Sequence, residues 1–280
     1  MTTAASCKIC GAPAPESFRI PMSKQTGLPI PDLPDDCSYY ECSRCGFCFS
    51  THLDAADHSE IYDDDYWNKQ DPDWYGRVSE TLRLVLLANQ LVRKPPDKLE
   101  ILDFGCGMGT FVETCRRSLQ LAAWGTDIIK PRFGLDYFLP QIGRKFDIVV
   151  ACEVVEHIPT PLETFRRMRD FLKPGGAVAF QTAEYSHECG RDWWYVGPDN
   201  GHISLYSRGA LDHIFKQLGG TSRIFWRDYP GVQAWQFGAD ITAMPDPVDD
   251  RLAAVYASHS WKVTAPLRML GRMVRGNRSG

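Results

Sequence analysis

The sequence lacks the long apolar runs that cross membranes. No stretch approaches the roughly 18 consecutive apolar residues that a spanning helix needs, and Met1-Thr2-Thr3-Ala4 does not begin a signal peptide. It also lacks an excess of charge of one sign, because 31 Lys and Arg side chains accompany 35 Asp and Glu, for a formal net charge of −4. We therefore expect a cytoplasmic protein with no general affinity for nucleic acid.

The ten cysteines need an explanation other than disulfides, which are rare in the cytosol. Six lie within residues 7–48, and four of these form two C-x-x-C-G knuckles with 31 residues between them. Two residues between thiolates let both sulfurs face one tetrahedral metal, so the pattern predicts a structural zinc site in a ribbon-like segment, residues 1–60. The predicted ligands are Cys7, Cys10, Cys42 and Cys45. Cys37 or Cys48 could replace one of them, and free thiols or a redox C-x-x-C pair are the alternatives.

The charge of this segment indicates what it does not bind. Residues 1–60 carry four basic and eight acidic side chains. An acidic ribbon is a poor ligand for phosphates, because phosphate contacts depend on Lys and Arg. We expect it to pack against the rest of the chain or to face the substrate.

The most informative stretch covers residues 99–111, where an apolar run ends in Asp103 and leads into three glycines at alternate positions. It predicts a buried strand, a tight turn and the start of a helix, whose free N–H groups face a ligand. The dinucleotide fingerprint G-x-G-x-x-G is not met, because Thr110 stands where its third glycine would fall. Asp103 would repel a pyrophosphate and attract a sulfonium or an ammonium group. The glycines are Gly105, Gly107 and Gly109.

This stretch resembles motif I of the class I S-adenosylmethionine (SAM) methyltransferases, acid-x-G-x-G-x-G at the end of the first strand. Phe146–Ile158 is similar to the F-D-x-V…E-H-I segment of the same superfamily, and Lys173–Gly176 to its L-K-P-G-G turn. Together the motifs cover residues 99–182. The resemblance implies an α/β fold, a Rossmann-like three-layer sandwich with a mostly parallel seven-stranded sheet, and it implies SAM as the cofactor.

Further cofactor contacts follow from positions at strand ends. Asp127 lies 22 residues after Gly105, where doubly wound nucleotide binders place a carboxylate on the ribose hydroxyls. Tyr66, in an acidic and aromatic segment, is predicted as part of a lid, with a solvated charge run as the alternative. Residues 128–145 are too short for the usual helix and strand, so Asp136 is only a guess for the adenine contact. The expected cofactor-binding residues are Tyr66, Asp103, Gly105, Cys106, Gly107, Gly109, Asp127, Cys152 and Glu153.

Two histidines are candidates for the general base. His157 and His202 could each take the proton of an acceptor hydroxyl, since imidazole titrates near neutral pH; a structural role is the alternative for His157. Residues 183–207 form an aromatic insertion that either lines the acceptor pocket or packs against the cysteine segment. Residues 201–207 resemble an H-x-x-x-Y/F-T/S segment of small-molecule and sugar methyltransferases.

The resemblance therefore implies methylation of a small molecule, most simply a hydroxyl of a sugar, a nucleotide-sugar or a glycan in polysaccharide biosynthesis. An RNA base methyltransferase and a non-catalytic scaffold with the same fold are the alternatives. Methyl transfer needs alignment more than acid–base chemistry, so few catalytic side chains are expected.

The end of the chain is basic. Residues 258–278 contain five basic and no acidic side chains, and they are similar to S-W-R-x-T-A-P-L-R tails of enzymes of bacterial polysaccharide assembly. We predict weak docking on a membrane surface or a protein, with a frayed terminus as the alternative. The predicted divisions of the chain are the ribbon at 1–60, the lid segment and helix at 61–98, the methyltransferase domain at 99–245 and the tail at 246–280.

Overall fold

The computed structural model describes residues 4–25, 34–54, 76–226 and 229–238. The chain divides into two units, Met1–Asp240 and Ile241–Gly280, and all described residues belong to the first. The predictions for Tyr66 and for the basic tail lie outside the described residues. No helix among the described residues is long and apolar enough to cross a bilayer.

The described elements are named in chain order. The strands are β1 (Ala5–Ser6), β2 (Pro13–Ala14), β3 (Glu16–Pro21), β4 (Asp36–Glu41), β5 (Cys48–Ser50), β6 (Glu100–Phe104), β7 (Ala122–Thr126), β8 (Phe146–Cys152), β9 (Leu172–Gln181), β10 (Glu184–Tyr185), β11 (Ser204–Ser207), β12 (Gly220–Trp226) and β13 (Tyr229–Phe237). The α-helices are α1 (Arg77–Val92), α2 (Thr110–Thr114), α3 (Pro161–Asp170) and α4 (Arg208–Gln217). A π-helical turn, Cys115–Leu119, continues α2.

The centre of the fold is a six-stranded sheet with the order β12-β13-β9-β8-β6-β7. The four strands β9, β8, β6 and β7 are parallel, whereas β13 runs antiparallel to both of its neighbours. All seven residues of β8 are buried, as expected for a strand that is covered on both faces. This continuous apolar run is the reason that the strand is recognisable in the sequence.

Helices cover both faces of the sheet. Val149 and Ala151 of β8 belong to one core cluster with residues of α3 and α4, while Ile148 and Val150 belong to the cluster that contains α1. This division follows from the alternation of side chains along a strand. The result is the three-layer α/β sandwich that the motifs predict.

The sheet differs from the expectation at one edge. Six strands are present in the described residues where seven were expected, and the position beyond β7 is reduced to a single parallel bridge between Gly125 and Phe138. Residues 128–145 contain only a short 3-10 turn, Leu135–Tyr137. The segment is too short for a helix and a full strand, and Pro131 and Pro140 interrupt its backbone pairing.

A second sheet connects the cysteine-rich segment to the aromatic insertion. Its order is β10-β11-β5-β4-β3, with β5 of the cysteine-rich segment antiparallel to β11 through Phe49 opposite Ser204 and Cys48 opposite Leu205. Phe47 and Phe49 also share a core cluster with Phe165 of α3. The cysteine-rich segment therefore packs into the methyltransferase body.

Candidate functional site

A pocket of about 960 Å³ opens at the carboxyl ends of β6, β7 and β8. The strands on the two sides of β6 are reached by connections in opposite directions, and ligands of open α/β sheets bind at such a switch point. The pocket lies where the motifs of the sequence predict a ligand. Of the described residues predicted to function there, those that line it are Asp103, Gly105, Cys106, Gly107, Asp127, Cys152, Glu153, His157 and His202.

The glycine turn after β6 depends on positive φ angles. Gly105, Gly107 and Gly109 have φ values of 75°, 49° and 80°, a region that side chains with a Cβ rarely adopt. A Cβ on Gly109 would lie 2.2 Å from the carbonyl oxygen of Phe133. Gly109 thus packs closely against the Phe133 backbone, and it is not among the residues that line the pocket.

Asp127 is oriented by the turn. Its carboxylate accepts hydrogen bonds from the backbone N–H groups of Gly107 (2.7 Å) and Ile129 (3.2 Å). Burial raises the pKa of Asp127, and these amide contacts oppose that shift. The carboxylate is therefore held at the rim of the pocket in one orientation, as a group that accepts two ribose hydroxyls must be.

Asp103 is the buried acid at the end of β6. It is 5% exposed, and burial together with the charge of Asp127 raises the pKa of Asp103 to about 8. A cation beside this carboxyl favours its ionised form and is attracted to it in return. The site is built for a ligand that carries a positive charge.

Two carboxyl groups share one hydroxyl beyond the end of β8. The Tyr195 hydroxyl lies 2.6 Å from Oε1 of Glu156 and 3.0 Å from Oε2 of Glu153. Because a phenol carries one proton, it can donate to only one of them at a time. Burial, followed by the charge of Glu153, raises the pKa of Glu156 well above its ordinary range. The protonated form of Glu156 is therefore favoured relative to a solvent-exposed carboxyl, and Glu153 has a strained positive φ of 53°.

The fold brings the two predicted histidines together. The rings of His157 and His202 have centroids 4.8 Å apart. His202 Nδ1 lies 2.8 Å from the Tyr195 carbonyl oxygen, to which it donates, so Nε2 keeps its lone pair. Burial lowers the pKa of His202 to about 4, and this imidazole is neutral at pH 7. Glu156, His157 and His202 each offer a donor atom within 4.8 Å of the others.

The aromatic insertion, residues 183–207, both lines the pocket and packs against the cysteine-rich segment. Trp194 and Tyr195 line the pocket, and Trp194 is 72% exposed. On its other side the insertion shares a core cluster with residues of β4 and β5. Its side chains in that cluster are Tyr185, Trp193, Tyr195, Val196 and Leu205.

Some residues of the pocket have no predicted role in the sequence. They include Arg77 and Thr81 of α1, Ile128 and Ile129 after Asp127, and Val154 after Glu153. The helix before motif I was recognisable as amphipathic, but nothing in its pattern indicates which end meets a ligand. Asp136, the guess for the adenine contact, is exposed and is not among the residues that line the pocket.

The four knuckle cysteines form one cluster. Cys7 Sγ lies 3.7 Å from Cys45 Sγ, and Cys10 Sγ lies 3.4 Å from Cys42 Sγ. Tetrahedral zinc with Zn–S bonds near 2.3 Å separates its sulfurs by roughly 3.8 Å, so the spacing fits. Backbone N–H groups of Ile9, Arg44 and Cys45 point at cluster sulfurs. The hydrogen bond between Cys7 and Cys45 lowers the pKa of the Cys7 thiol and raises that of the Cys45 thiol.

The other two cysteines of the segment do not join this cluster. Cys37 Sγ lies 3.1 Å from Ser50 Oγ and 2.9 Å from His52 Nδ1, and burial raises its pKa to about 12. Cys48 is fully buried in the core below the sheet. The predicted ligand set of Cys7, Cys10, Cys42 and Cys45 is the one that the structure assembles.

Comparison with known proteins identifies the family. A sequence profile described as methyltransferase domain matches residues 77–221, which is 145 of the 280 residues. The chain belongs to this methyltransferase family. Membership, together with the three-layer architecture, confirms the predicted fold class.

The relatives match over part of their length. The ubiquinone biosynthesis O-methyltransferase of Ruegeria pomeroyi is 37% identical over 101 residues, covering 30% of this chain and 40% of that protein. Its mitochondrial counterpart in Arabidopsis thaliana is 25% identical over 147 residues, covering 42% and 46%. The solved 1,6-didemethyltoxoflavin-N1-methyltransferase of Burkholderia thailandensis has a TM-score of 0.47 at 14% identity, covering 72% of this chain and 96% of that one. The chain thus spans less than half the length of the two curated relatives.

Proposed function

We propose that this protein transfers the methyl group of SAM to a hydroxyl of a small-molecule acceptor, namely a sugar, a nucleotide-sugar or a growing glycan. One observation carries the choice of donor. A buried carboxyl suited to a cation, Asp103, lies beside a glycine turn and a ribose-type carboxylate, Asp127, in one pocket. SAM combines a sulfonium, an ammonium and a ribose diol in one molecule, so each group of the site has a counterpart.

The donor half of the pocket follows from these contacts. Asp127 would accept the two ribose hydroxyls, and Asp103 would face the positively charged methionine part of SAM. Gly105, Gly107 and Cys106 let the backbone approach the ligand closely. Cys152 and Glu153, at the end of β8, would lie beside the sulfonium.

The reaction releases one proton for each methyl group transferred. The acceptor oxygen forms a bond to the methyl carbon as the carbon–sulfur bond breaks, the sulfonium becomes a neutral thioether, and the hydroxyl proton must leave. We assign that proton to His157, which lines the pocket next to His202. His202 has its Nδ1 fixed by the Tyr195 carbonyl group, its Nε2 accepts from the Asn200 side-chain amide at 3.3 Å, and it would support the ring of His157.

One observation supports a hydroxyl acceptor. The curated relatives are named as O-methyltransferases. The sugar itself is supported by the likeness of residues 201–207 and of the tail to segments of sugar and polysaccharide enzymes.

The cysteine cluster is proposed to hold one zinc ion. Cys7, Cys10, Cys42 and Cys45 would supply four thiolates with no open position, which is the arrangement of structural zinc sites. The chemistry that zinc supplies there is a crosslink between the two knuckles. It takes no part in methyl transfer.

A labelled-methyl assay tests the proposal. The protein is incubated with methyl-labelled SAM and a panel of nucleotide-sugars, oligosaccharides and RNA. We expect label in a sugar acceptor, with incorporation lowered at least tenfold in His157→Ala. Label in RNA alone would contradict the sugar assignment and favour a base methyltransferase, whereas SAM binding with no transfer to any acceptor would favour a scaffold.

A further inference from the structure

We propose that the cysteine module positions the acceptor wall of the pocket through Tyr39 and Lys24. The cysteine module is the described part of the ribbon segment, residues 4–25 and 34–54, and the acceptor wall is residues 193–203. The statement that this wall faces the acceptor rests on the proposed function. The contacts between the module and the wall are seen in the structure and do not depend on that function.

The two parts share a sheet, which sets their distance. β5 of the module pairs with β11, whose first residue, Ser204, directly follows the acceptor wall. The hydroxyl of Ser207 at the end of β11 donates to the carbonyl oxygen of Cys45, a knuckle cysteine, at 2.6 Å. Backbone pairing therefore connects the cysteine cluster to the base of the wall.

Tyr39 reaches from β4 to the histidine of the wall. Its hydroxyl donates to the carbonyl oxygen of His202 at 2.7 Å, and its side chain is fully buried. The next residue, Ile203, donates its N–H to the carbonyl oxygen of Glu156 at 3.0 Å. Tyr39 thus fixes the backbone at the point where the wall meets the Glu156–His157 segment.

Lys24 holds the aromatic part of the wall. Its ammonium group donates to the carbonyl oxygens of Trp193 (2.7 Å) and Val196 (2.9 Å). These two carbonyl groups bracket Trp194 and Tyr195, the two aromatic residues that line the pocket. A single side chain of the module therefore sets the backbone on both sides of the pair.

Gln25 adds a third attachment. Its backbone N–H donates to the carboxylate of Asp199 at 3.0 Å, and its side-chain amide donates to the carbonyl oxygen of Trp194 at 3.0 Å. Within the described residues, the hydrogen bonds that connect the module to the rest of the chain end on residues 185–207. The donor half, around Asp103 and Asp127, is built instead by the ends of β6 and β7.

This division of contacts has a functional consequence. Removing one of these hydrogen bonds while the module stays folded should disturb residues that meet the acceptor and leave the SAM half unchanged. Tyr39 and Lys24 are positioning residues in this account, because they act through the wall and do not line the pocket. A purely structural role would instead loosen both halves together.

Hydrogen exchange of the full chain, followed by mass spectrometry, tests this without an acceptor. Tyr39→Phe removes one hydroxyl, and Tyr40→Phe on the same strand is the matched control, since Tyr40 packs on Phe49 (centroids 5.9 Å apart). We expect peptides from residues 193–203 to exchange roughly fivefold faster in Tyr39→Phe, the loss of one net hydrogen bond. Peptides covering residues 103–111 should keep the wild-type rate, as should every peptide of Tyr40→Phe.

Lys24→Met is the second variant, in case Tyr39→Phe fails to fold. It keeps the length of the apolar stem while removing the ammonium group, and it should also accelerate exchange in residues 193–203. Unchanged exchange there in both variants would overturn the proposal, as would equal acceleration in residues 103–111. These readouts stand even if no methyl transfer is found.

Kinetics supply the second readout once an acceptor is in hand. In Tyr39→Phe we expect a higher KM for the acceptor or a lower kcat, with the dissociation constant of SAM within about twofold of wild type. A weakened SAM affinity with an unchanged acceptor KM would overturn the division between the two halves.

Discussion

Asp103 is the residue whose surroundings say most about the ligand. It is buried at the end of the central strand, and its pKa of about 8 leaves it protonated at neutral pH in the free protein. A cation beside this carboxyl would lower its pKa and be attracted to the ionised form. Its environment is explained if the bound molecule brings the positive charge.

Binding of SAM should therefore release a proton. Below pH 8 the free carboxyl carries a proton, and the cation favours the ionised form, so affinity should rise as pH increases from 6 to 8 and level off above. At pH 7 close to one proton should leave per SAM bound. Titration calorimetry in buffers of different ionisation enthalpy measures this number. Asp103→Asn should show no release, and equal heats in all buffers for the wild type would contradict the account.

Glu156 is expected to reveal its bound proton through stability. Its raised pKa means that the folded state keeps a proton that the unfolded state loses above about pH 4.5. The contribution of Glu156 to stability should then fall as pH rises above about 4.5, whereas Gln at this position does not titrate. The free energy of unfolding of Glu156→Gln should rise relative to that of the wild type by up to about 1.4 kcal/mol per pH unit. Denaturant unfolding at several pH values checks it, and parallel curves would refute it.

At the scale of elements, the turn between β6 and α2 depends on glycine. Gly109→Ala places a Cβ against the Phe133 carbonyl group at a φ of 80°. We expect a loss of at least about 2 kcal/mol in unfolding free energy together with loss of SAM binding. Gly143→Ala is the control, because a Cβ there meets nothing within 4 Å. Comparable stability of the two variants would show that the turn tolerates side chains.

The elements differ in how far the sequence reveals them. β8 was predictable because a strand buried on both faces is a continuous apolar run, and motif I because three glycines and an acid leave few other conformations. Residues 128–145 could not be predicted, since their conformation depends on one bridge to β7 and not on a period of their own.

The site was predictable in chemistry more than in arrangement. Spacing places Asp103, Asp127 and Glu153 at strand ends, and parallel strands bring such ends to one edge. The adjacency of His157 and His202, and the hydroxyl of Tyr195 between two carboxyl groups, arise from an insertion that returns over the pocket. No local pattern encodes that return. The motif alone does not distinguish a glycine that faces the ligand from one whose Cα faces the Phe133 carbonyl group, as that of Gly109 does.

At the scale of the whole molecule, the cysteine module is part of the enzyme body. It contributes three strands to the sheet that carries β11, and its aromatic residues enter the core. A metal held by its four cysteines would therefore matter for the stability of the entire described unit and not for a separate small domain.

Metal removal tests this integration. We expect about one zinc per chain by elemental analysis, and a thermal midpoint lowered by at least about 10 °C after chelation or in Cys7→Ser. Cys189→Ser, a thiol outside the cluster, should keep both the metal and the midpoint. A chain that purifies without zinc at wild-type stability would remove the zinc assignment.

The central claim is that the pocket at the end of β6 binds SAM, and titration calorimetry with SAM tests it most directly. The account predicts one site per chain, an affinity lowered at least about tenfold in Asp127→Ala, which loses charge-assisted hydrogen bonds to the ribose, and no change in Asp136→Ala, an exposed acid outside the pocket. No heat of binding in the wild type, or an affinity unaffected by Asp127→Ala, would contradict it.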